Sequence, residues 1–558
     1  MKNGRSILWA VLAAASLAVM YGPSLLEHAR LARDPYLFND DIRHWLVPFA
    51  REAQPGIRPD DYLVNYRQAM TPIGQRLFYR WSARLFDPAV TSKALPLVQY
   101  ALLVAVMGWC AVRLGGWVCG WATLALALSS HEFLYRMVGG TARSWAFPLA
   151  ALAAAALLGG SIRGLALLTI LAAAFYPPMA LVFGLTLLGA ILPARIRRVE
   201  KAVVLLLTVL LSAACLWPNT TREYGRRLGP ADVSAYPELG PGGRYGFDDR
   251  PPFLNVGAAV ADAFGRSLQG GDPAWIPTLR NRIMAGSTYG RPAILLVVIA
   301  GFFGLLTLAG SVLLARREAS ARRLLILFGA SCVAYLAAAW LSPALYFPQR
   351  YVIYTVPVLT LILLPATIRQ LAGRLHPTAA SGLVIVTTLA CLALLGGHGG
   401  GSIGLSVDAH AERELYQRLS TFPPDSLIAG WPQGVMNNVP WLCRRSVLLN
   451  WESHEAIHQR YADEMRRRMN ALVAAYFATS LEPLARLRAE WGVTHLLVQL
   501  SHYKEVPPVY FEPFSSEIEA AHAALRERGS EVRRQADRCA VYRDEDFVLL
   551  DLTRLNAQ

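Results

Sequence analysis

The sequence predicts an α-helical polytopic membrane bundle of about eleven spans, followed by an extracytoplasmic α/β domain at the C-terminus. Three observations support this fold class. Of the 558 residues, 54% are hydrophobic and only 17% are charged, which is less charge than soluble proteins carry. Uncharged apolar stretches long enough for helical spans recur as far as residue 396. After residue 401, short apolar runs alternate with helical patterns, as in a soluble α/β domain.

The predicted spans begin with Ile7 to Leu26, which follows Lys2 and Arg5 and has the length of a membrane helix. A cleaved signal peptide is the alternative, but the stretch is long for one and further spans follow. The remaining spans are predicted at 97–112, 117–131, 145–160, 164–176, 178–193, 202–217, 293–315, 323–341, 351–368 and 378–396. Tyr176-Pro177-Pro178 interrupts the pair at 164–176 and 178–193.

The short loops place the N-terminus in the cytoplasm, because Arg and Lys concentrate in every second connection. These residues are Arg113, Arg163, Arg195, Arg197, Arg198, Lys201, Arg316, Arg317, Arg322, Arg323, Arg369 and Arg374. An odd number of spans puts the C-terminal domain outside, on the side of the first long loop. The net charge of +15 belongs mainly to the membrane half, so it does not indicate nucleic-acid binding.

The predicted domains are a membrane domain over residues 1–400 and an extracytoplasmic α/β domain over 401–558. The membrane domain includes two long outer loops, 27–96 and 218–291. In the first loop, Asp40 to Ala53 and Thr71 to Leu85 have amphipathic helical patterns of the kind that lie flat at a membrane interface.

The C-terminal domain is predicted to contain four strands and three helices. The strands are Ser426 to Gly430, Ser446 to Leu449, His495 to Gln499 and Phe547 to Leu552. The helices are Glu455 to Ala478, Glu482 to Trp491 and Ser516 to Arg528. Cys443 and Cys539 lie in this domain, where an outside location allows either a disulfide or two free thiols.

Two adjacent carboxylates follow the first apolar stretch, in Asn39-Asp40-Asp41. Ionisable groups at the membrane boundary are costly to hold and are functional candidates. Asp40 and Asp41 are therefore the candidate catalytic residues, as a base or an orienting carboxylate. The same pattern fits a helix start with Asn39 or Asp40 as N-cap, and the two roles are compatible. Asp60 and Asp61 repeat the doublet but favour a turn and cap, so they are second-choice acidic candidates.

Two further outer turns carry the candidate substrate-binding or lipid-phosphate-binding residues. The first, next to the glycine doublet Gly139-Gly140, contains His131, Glu132, Arg136 and Arg143. The two arginines suit a lipid phosphate, and the His-Glu pair is a minimal metal pattern. Arg350, in Pro348-Gln349-Arg350-Tyr351, is the preferred phosphate ligand. Snorkelling of the arginines to lipid headgroups and interfacial anchoring are the alternatives.

With these residues the chain resembles the GT-C superfamily of integral membrane glycosyltransferases. The resemblance rests on Asp40-Asp41, the amphipathic helices behind them, Gly140 to Leu149 and Pro348 to Tyr351. It implies a polyprenyl-phosphate sugar donor, inversion at the anomeric carbon, and a hexosyl or pentosyl transferase of the cell envelope. The expected location is the bacterial inner (plasma) membrane, with membrane lipids and the lipid-linked donor as partners. The resemblance gives Asp40 or Asp41 the role of base or metal ligand. It names no acceptor and leaves a divalent metal as the one open cofactor.

Two other functions are compatible with parts of the sequence. A transporter or lipid flippase would place ionisable groups deep within its spans, whereas the charges here cluster at the outer ends. A non-catalytic anchor that displays the C-terminal domain would explain why that domain lacks recognisable catalytic motifs. It would not explain the acidic first loop.

Overall fold

The structure is a computed structural model of the whole chain, and its parts are described here for defined residues only. These are 15, 26–27, 29–54, 56–219, 223–246, 255–268, 270–271, 304, 306–307, 309–316, 318–342, 345, 347–372, 376–397, 404–505, 507 and 510–555. Most residues of the two predicted spans Ile7 to Leu26 and 293–315 lie outside the described residues.

The membrane half is a helical bundle, which confirms the predicted fold class for this part of the chain. Its helices are Pro88–Ser129, His131–Met137, Ala146–Gly159, Ile162–Phe175, Pro177–Ile191, Arg198–Leu216, Asn255–Leu268, Ala319–Trp340, Val356–Leu371 and Pro377–Leu395. Four segments among the described residues are long and apolar enough to cross a membrane: Pro88–Ser129, Ala142–Gly159, Arg198–Leu216 and Ala319–Trp340. Shorter apolar helices complete the bundle.

The segment Pro88–Ser129 is two antiparallel helices, as the predicted spans at 97–112 and 117–131 require. The chain reverses at Gly116, whose φ of +73° is a conformation that glycine adopts without strain. Small residues bring the two helices close together, because a Cβ on Gly120 would lie 2.4 Å from a methyl group of Val112. The break predicted at Tyr176 is also present, since one helix ends at Phe175 and the next begins at Pro177.

The C-terminal part is the predicted α/β domain. Its mixed sheet contains five strands in the order β6-β5-β7-β9-β8. These are β5 (Leu427–Gly430), β6 (Ser446–Val447), β7 (His495–Gln499), β8 (Ala540–Arg543) and β9 (Phe547–Asp551). The strand β5 runs parallel to β6 and β7, and β9 runs antiparallel to β7 and β8. The sequence analysis missed β8, which is a partly exposed edge strand with little apolar signal.

The helices of this domain are Arg413–Ser420, Val435–Leu442, Gln459–Tyr476, Leu481–Trp491, Phe514–Arg528 and Glu531–Cys539. Three of these match the predicted helices, with ends that differ by a few residues. Cys443 and Cys539 are both buried free thiols, so the disulfide that the sequence allowed is not formed.

The first loop is joined to the C-terminal domain by a short ladder. The strand β1 (Leu37–Phe38) pairs antiparallel with β4 (Val407–Asp408), which precedes the domain. The glycine strands β2 (Gly270–Gly271) and β3 (Gly396–Gly397) form a second, parallel pair. The β1–β4 ladder places the acidic stretch that follows Phe38 beside the C-terminal domain.

The predicted interfacial helix over Asp40 to Ala53 is wrong in form and in location. The stretch is two short helices, Ile42–Trp45 and Val47–Ala53, separated at Leu46 because Pro48 is preorganised for the first turn of a new helix. Its apolar face does not meet lipid. Phe38, Leu46 and Phe49 are fully buried in the same hydrophobic core as the C-terminal domain, with Val435–Leu442 as a neighbouring helix. A helix pattern alone does not tell a lipid surface from a protein surface.

The second amphipathic stretch does keep an apolar face outside the protein core. The helix spans Ile73–Ser82, after Tyr62–Met70. Leu77, Trp81 and Leu85 are each about 60% exposed. Because the long membrane segment Pro88–Ser129 begins just beyond them, this face is placed as an interfacial helix requires.

Candidate functional site

The acidic pair lies in a tight turn between β1 and the helix Ile42–Trp45. The Asn39 side chain organises this turn: its Nδ2 donates to the Gly404 carbonyl at 3.0 Å, and its Oδ1 accepts from the Asp41 backbone N–H at 3.1 Å. Asp41 is the residue before the helix, but its side chain makes no capping hydrogen bond. The Asn39 side chain therefore stabilises the turn, and the Asp41 carboxylate is available for other partners.

The two carboxylates have different surroundings. Asp41 Oδ2 forms an ion pair with Arg143 Nη2 at 2.7 Å. The pKa of Asp40 is raised, first by burial and then by the negative charge of Asp41, against the lowering effects of Arg143 and Arg43. A raised carboxyl pKa suits a residue that takes up and releases a proton near neutral pH. This difference separates the roles that the sequence left open between Asp40 and Asp41.

The glycine doublet Gly139-Gly140 allows the turn before Arg143 to pack closely against its neighbours. Both glycines have positive φ values, +98° and +60°. A Cβ on Gly139 would lie 2.7 Å from Asn39 Oδ1, and one on Gly140 would lie 2.7 Å from the Tyr79 hydroxyl. The Gly140 carbonyl accepts from Tyr79 and from Gln75 at 3.1 and 2.8 Å. The doublet thus lets the turn before Arg143 approach the acidic loop closely.

Arg350 lies in the short 3-10 helix Pro348–Tyr351. Its guanidinium carbon lies 5.3 Å from the centre of the Phe347 ring. The charges of Asp41, Asp40 and Arg350 all act on the Arg143 guanidinium. The acidic pair and Arg350, which are remote in sequence, therefore all contribute to the electrostatic surroundings of Arg143.

Glu132 and Arg136 belong to a neighbouring cluster. They form an ion pair along the helix His131–Met137, and burial raises the pKa of Glu132. Asp262 and Arg266, from the helix Asn255–Leu268, are further charged neighbours of Glu132. The His131 side chain lies outside the described residues. Arg136 is close to Arg143 in sequence, but the ion pair described for Arg136 is with Glu132, whereas Arg143 pairs with Asp41.

Asp60 and Asp61 have the structural roles that a turn and cap predict. Asp60 is exposed and pairs with Arg58 at 2.9 Å, which lowers its pKa. Asp61 precedes the helix Tyr62–Met70, and its Oδ1 accepts from the Val64 backbone N–H at 3.0 Å. Because this carboxylate is buried and committed to the cap, it has little freedom for chemistry.

The sequence analysis missed a charged group that faces the acidic pair from the C-terminal domain. Glu452 Oε1 accepts from Arg43 Nη2 at 3.0 Å, and Glu452 Oε2 lies 3.6 Å from Arg244 Nη2. Arg43 is one of several arginines in the first loop, and nothing in the sequence distinguishes it from the others. No sequence pattern could have joined it to Glu452, which is 409 residues away.

His44 lies at the centre of this charged group and is neutral. Burial and then the positive charge of Arg67 hold the pKa of His44 well below its ordinary value. Its Nδ1 lies 3.5 Å from Glu452 Oε2 without forming a hydrogen bond. The site therefore contains an uncharged imidazole among arginines and carboxylates.

Metal ligation was the other use that the sequence allowed for its acidic residues. Within the part of the chain that the structure describes, no group of three or more His, Cys, Asp or Glu side chains is arranged to hold a metal ion. The groups that converge are instead one carboxyl with a raised pKa, one paired carboxylate, and arginines from several segments. Such a set can accept a proton at Asp40 and bind an anion beside Arg143 and Arg350.

Comparison with known proteins gives structural similarity without sequence similarity. No family model and no curated protein matches the chain. One similar solved structure is an oligosaccharyltransferase from Archaeoglobus fulgidus, with 13% identity, a TM-score of 0.47, and coverage of 89% of this chain and 68% of that one. Another is ArnT from Cupriavidus metallidurans bound to undecaprenyl phosphate, with 13% identity, a TM-score of 0.46 and full coverage of both chains.

Proposed function

We propose that this protein is a membrane glycosyltransferase that transfers a sugar from a polyprenyl-phosphate-linked donor to an acceptor on the extracytoplasmic face. One observation carries the proposal. A buried carboxyl with a raised pKa, Asp40, lies beside the Asp41–Arg143 ion pair, and the charge of Arg350 reaches the same arginine. A base and an anion site thus share one location at the end of a membrane bundle.

The donor class follows from this location. A polyprenyl chain stays in the bilayer, so its phosphate has to be bound where the bundle ends. Arg143 pairs with Asp41, and the charge of Arg350 acts on Arg143. Guanidinium groups bind phosphate oxygens through paired hydrogen bonds. Undecaprenyl phosphate, the ligand of the Cupriavidus structure, belongs to the same chemical class.

The proposed reaction assigns one task to each group. The Asp40 carboxylate takes the proton from an acceptor hydroxyl, whose oxygen forms a bond to the anomeric carbon of the sugar. The bond between that carbon and the phosphate oxygen breaks, and the phosphate leaves with the bonding electrons. Arg350 and Arg143 stabilise the charge on the leaving phosphate. Asp41 holds Arg143 in position, and alignment of the two reactants supplies much of the remaining rate increase.

The proposal is tested by replacing Asp40. In nanodiscs supplied with undecaprenyl-phosphate-linked sugars and an envelope glycolipid fraction, the protein should release undecaprenyl phosphate, measured by mass spectrometry. Asp40→Asn should lower this release by about 100-fold or more, as loss of a general base does. Asp41→Asn should reduce it less, because Arg143 loses its partner but the base remains.

A matched control is Glu52→Gln, which removes an exposed carboxylate of the same loop that pairs with Arg80. It should leave release near the native level. Native release by Asp40→Asn, or transbilayer movement of lipid by the protein without any sugar donor, would contradict the assignment and favour a flippase. A density map with bound undecaprenyl phosphate should place its phosphate between Asp41 and Arg350.

A further inference from the structure

Glu452 connects three segments at the edge of the candidate site. It follows β6 in the C-terminal domain, and its carboxylate contacts Arg43 of the first loop and Arg244 of the second. All three side chains are only 11–14% exposed. A carboxylate that loses most of its water is held at such a position only with charged partners.

The two ends of the Glu452–Arg43 contact are firmly held. Arg43 Nη1 also donates to Asn438 Oδ1 at 3.1 Å, and Asn438 Nδ2 donates to the Tyr416 hydroxyl at 2.9 Å. The Glu452 backbone N–H donates to Asn437 Oδ1 at 3.2 Å. Arg43 is therefore aligned by the C-terminal domain and not by its own short helix.

We propose that Glu452 is a positioning residue of the candidate site, which holds Arg43 beside Asp40 and so sets the charge that surrounds Asp40. The inference rests on the proposed function, in which Asp40 is the base whose ionisation these charges control. Glu452 itself does not touch the reacting atoms in this scheme. It makes the C-terminal domain a structural part of the site.

The charges around Asp40 and Glu452 indicate that both carboxylates interact with Arg43. Asp40 is acted on by Asp41, Arg143 and Arg43. Glu452 is acted on by Arg244, Arg43, Asp41 and Asp40, and burial raises its pKa. His44 is neutral and adds no charge. Because the interaction between two charges is mutual, a negative Glu452 opposes the ionisation of Asp40, whereas Arg43 favours it.

The test follows the titration of Asp40 directly, without any donor or acceptor. Infrared spectra of the full-length protein in nanodiscs should contain a protonated-carboxyl band from Asp40, identified by its loss in Asp40→Asn. In Arg43→Gln the midpoint of this band should move to higher pH, because a neighbouring positive charge is removed. In the Glu452→Gln background, where Arg43 is no longer held beside Asp40, the same replacement of Arg43 should move the midpoint by less.

The matched control is Glu238→Gln. Glu238 pairs with Arg466 between the second loop and the C-terminal domain, with Arg466 Nη2 2.6 Å from Glu238 Oε2. Its replacement breaks a buried contact of the same kind and should leave the Asp40 midpoint unchanged.

A shift on replacing Arg43 that is equally large in the Glu452→Gln and native backgrounds would overturn the proposal. If Glu452→Gln does not fold, an unchanged midpoint in Arg43→Gln is sufficient to overturn it. Because the measurement needs no sugar, it is independent of the transfer assay. An inactive native protein would refute the glycosyltransferase while the charge arrangement could still hold.

Discussion

Asp40 and Asp41 are adjacent in sequence, yet their environments differ in the way a two-carboxylate mechanism needs. Asp41 has a close cationic partner in Arg143, and Asp40 is more strongly affected by burial than by any charge. In active sites with two carboxyl groups, the surroundings commonly separate the two pKa values, so that each group has a different role. The sequence could supply the doublet, but only the fold could separate the two residues.

The pH dependence of transfer should therefore carry the signature of Asp40. A base works only when ionised, so activity present above the pKa of Asp40 is lost as the pH falls through it. Because that pKa is raised, the loss should occur at higher pH than for an exposed aspartate. The measurement is the pH profile of kcat/KM for undecaprenyl phosphate release.

Asp41→Asn provides the check on this assignment. It removes the negative charge of Asp41 and leaves the positive charge of Arg143 uncompensated, and both changes favour ionised Asp40. The acidic limb of its profile should move to lower pH, even though its maximal rate is reduced. A limb at the native position in Asp41→Asn would show that another group controls the rate.

At the scale of the element, the first loop has an ion pair that is buried almost completely. Arg67, in the helix Tyr62–Met70, pairs with Glu455 of the C-terminal domain at 3.1 Å, with side-chain exposures of 3% and 6%. Its guanidinium also lies 4.3 Å from the centre of the Trp45 ring and donates to the Glu452 carbonyl at 3.2 Å. One arginine thus fixes a helix of the first loop to the segment that contains Glu452.

Arg67→Met should destabilise the protein by about 3–5 kcal/mol, because it leaves Glu455 buried without its counter-ion. The free energy of unfolding in detergent, from denaturant titration of the extramembrane part, measures the effect. The double variant Arg67→Met with Glu455→Gln should recover part of the loss. Equal stability of the single variant and the native protein would show that Glu455 has other compensation.

The same elements show how far sequence could predict the fold and the site. Apolar length located most helices of the bundle, and short apolar runs located β5, β6, β7 and β9, because these signals are local. The burial of Phe49 and Leu46 against protein, and the meeting of Arg43 with Glu452, depend on contacts between distant segments. Periodicity shows which face of a helix is apolar but not which segment packs against it. The contribution of the C-terminal domain to the site was therefore missed.

At the scale of the molecule, three extramembrane segments form one junction. Tyr66 of the first loop, Tyr224 of the second and Tyr461 of the C-terminal domain pack together, with 3.5 Å between the Tyr66 and Tyr461 ring centres. The backbone N–H of Arg460 donates to the Tyr224 carbonyl at 3.0 Å. The second loop is thus a structural layer between the first loop and the C-terminal domain, and not a free connection.

Acidification should weaken this junction. The Nδ1 of His458 lies 3.0 Å from the Tyr66 hydroxyl, and burial lowers the pKa of His458 to about 4. The unfolded chain binds this proton near pH 6.5, so stability present above that pH is lost as the pH falls toward 4. This single group should remove roughly 1–2 kcal/mol between pH 7.5 and pH 5. Thermal unfolding at the two pH values measures it.

His458→Gln should lose less stability over the same pH interval than the native protein does. His410 offers the opposite case, because its hydrogen bond with Asp408 raises its pKa, so His410→Gln should not reduce the acid sensitivity. If His458→Gln and the native protein lose stability equally between pH 7.5 and pH 5, His458 is not responsible for the effect.

The ladder between Leu37–Phe38 and Val407–Asp408 has a consequence for biosynthesis. Phe38, Leu46 and Phe49 are synthesised early, but many residues of the hydrophobic core that they join belong to the last quarter of the chain. At 5–20 residues per second, the roughly 400 residues between them take about 20–80 s to translate. Throughout that interval these side chains lack part of their native neighbours. We therefore expect a chaperone or the bilayer surface to cover them until the end of the chain has been synthesised.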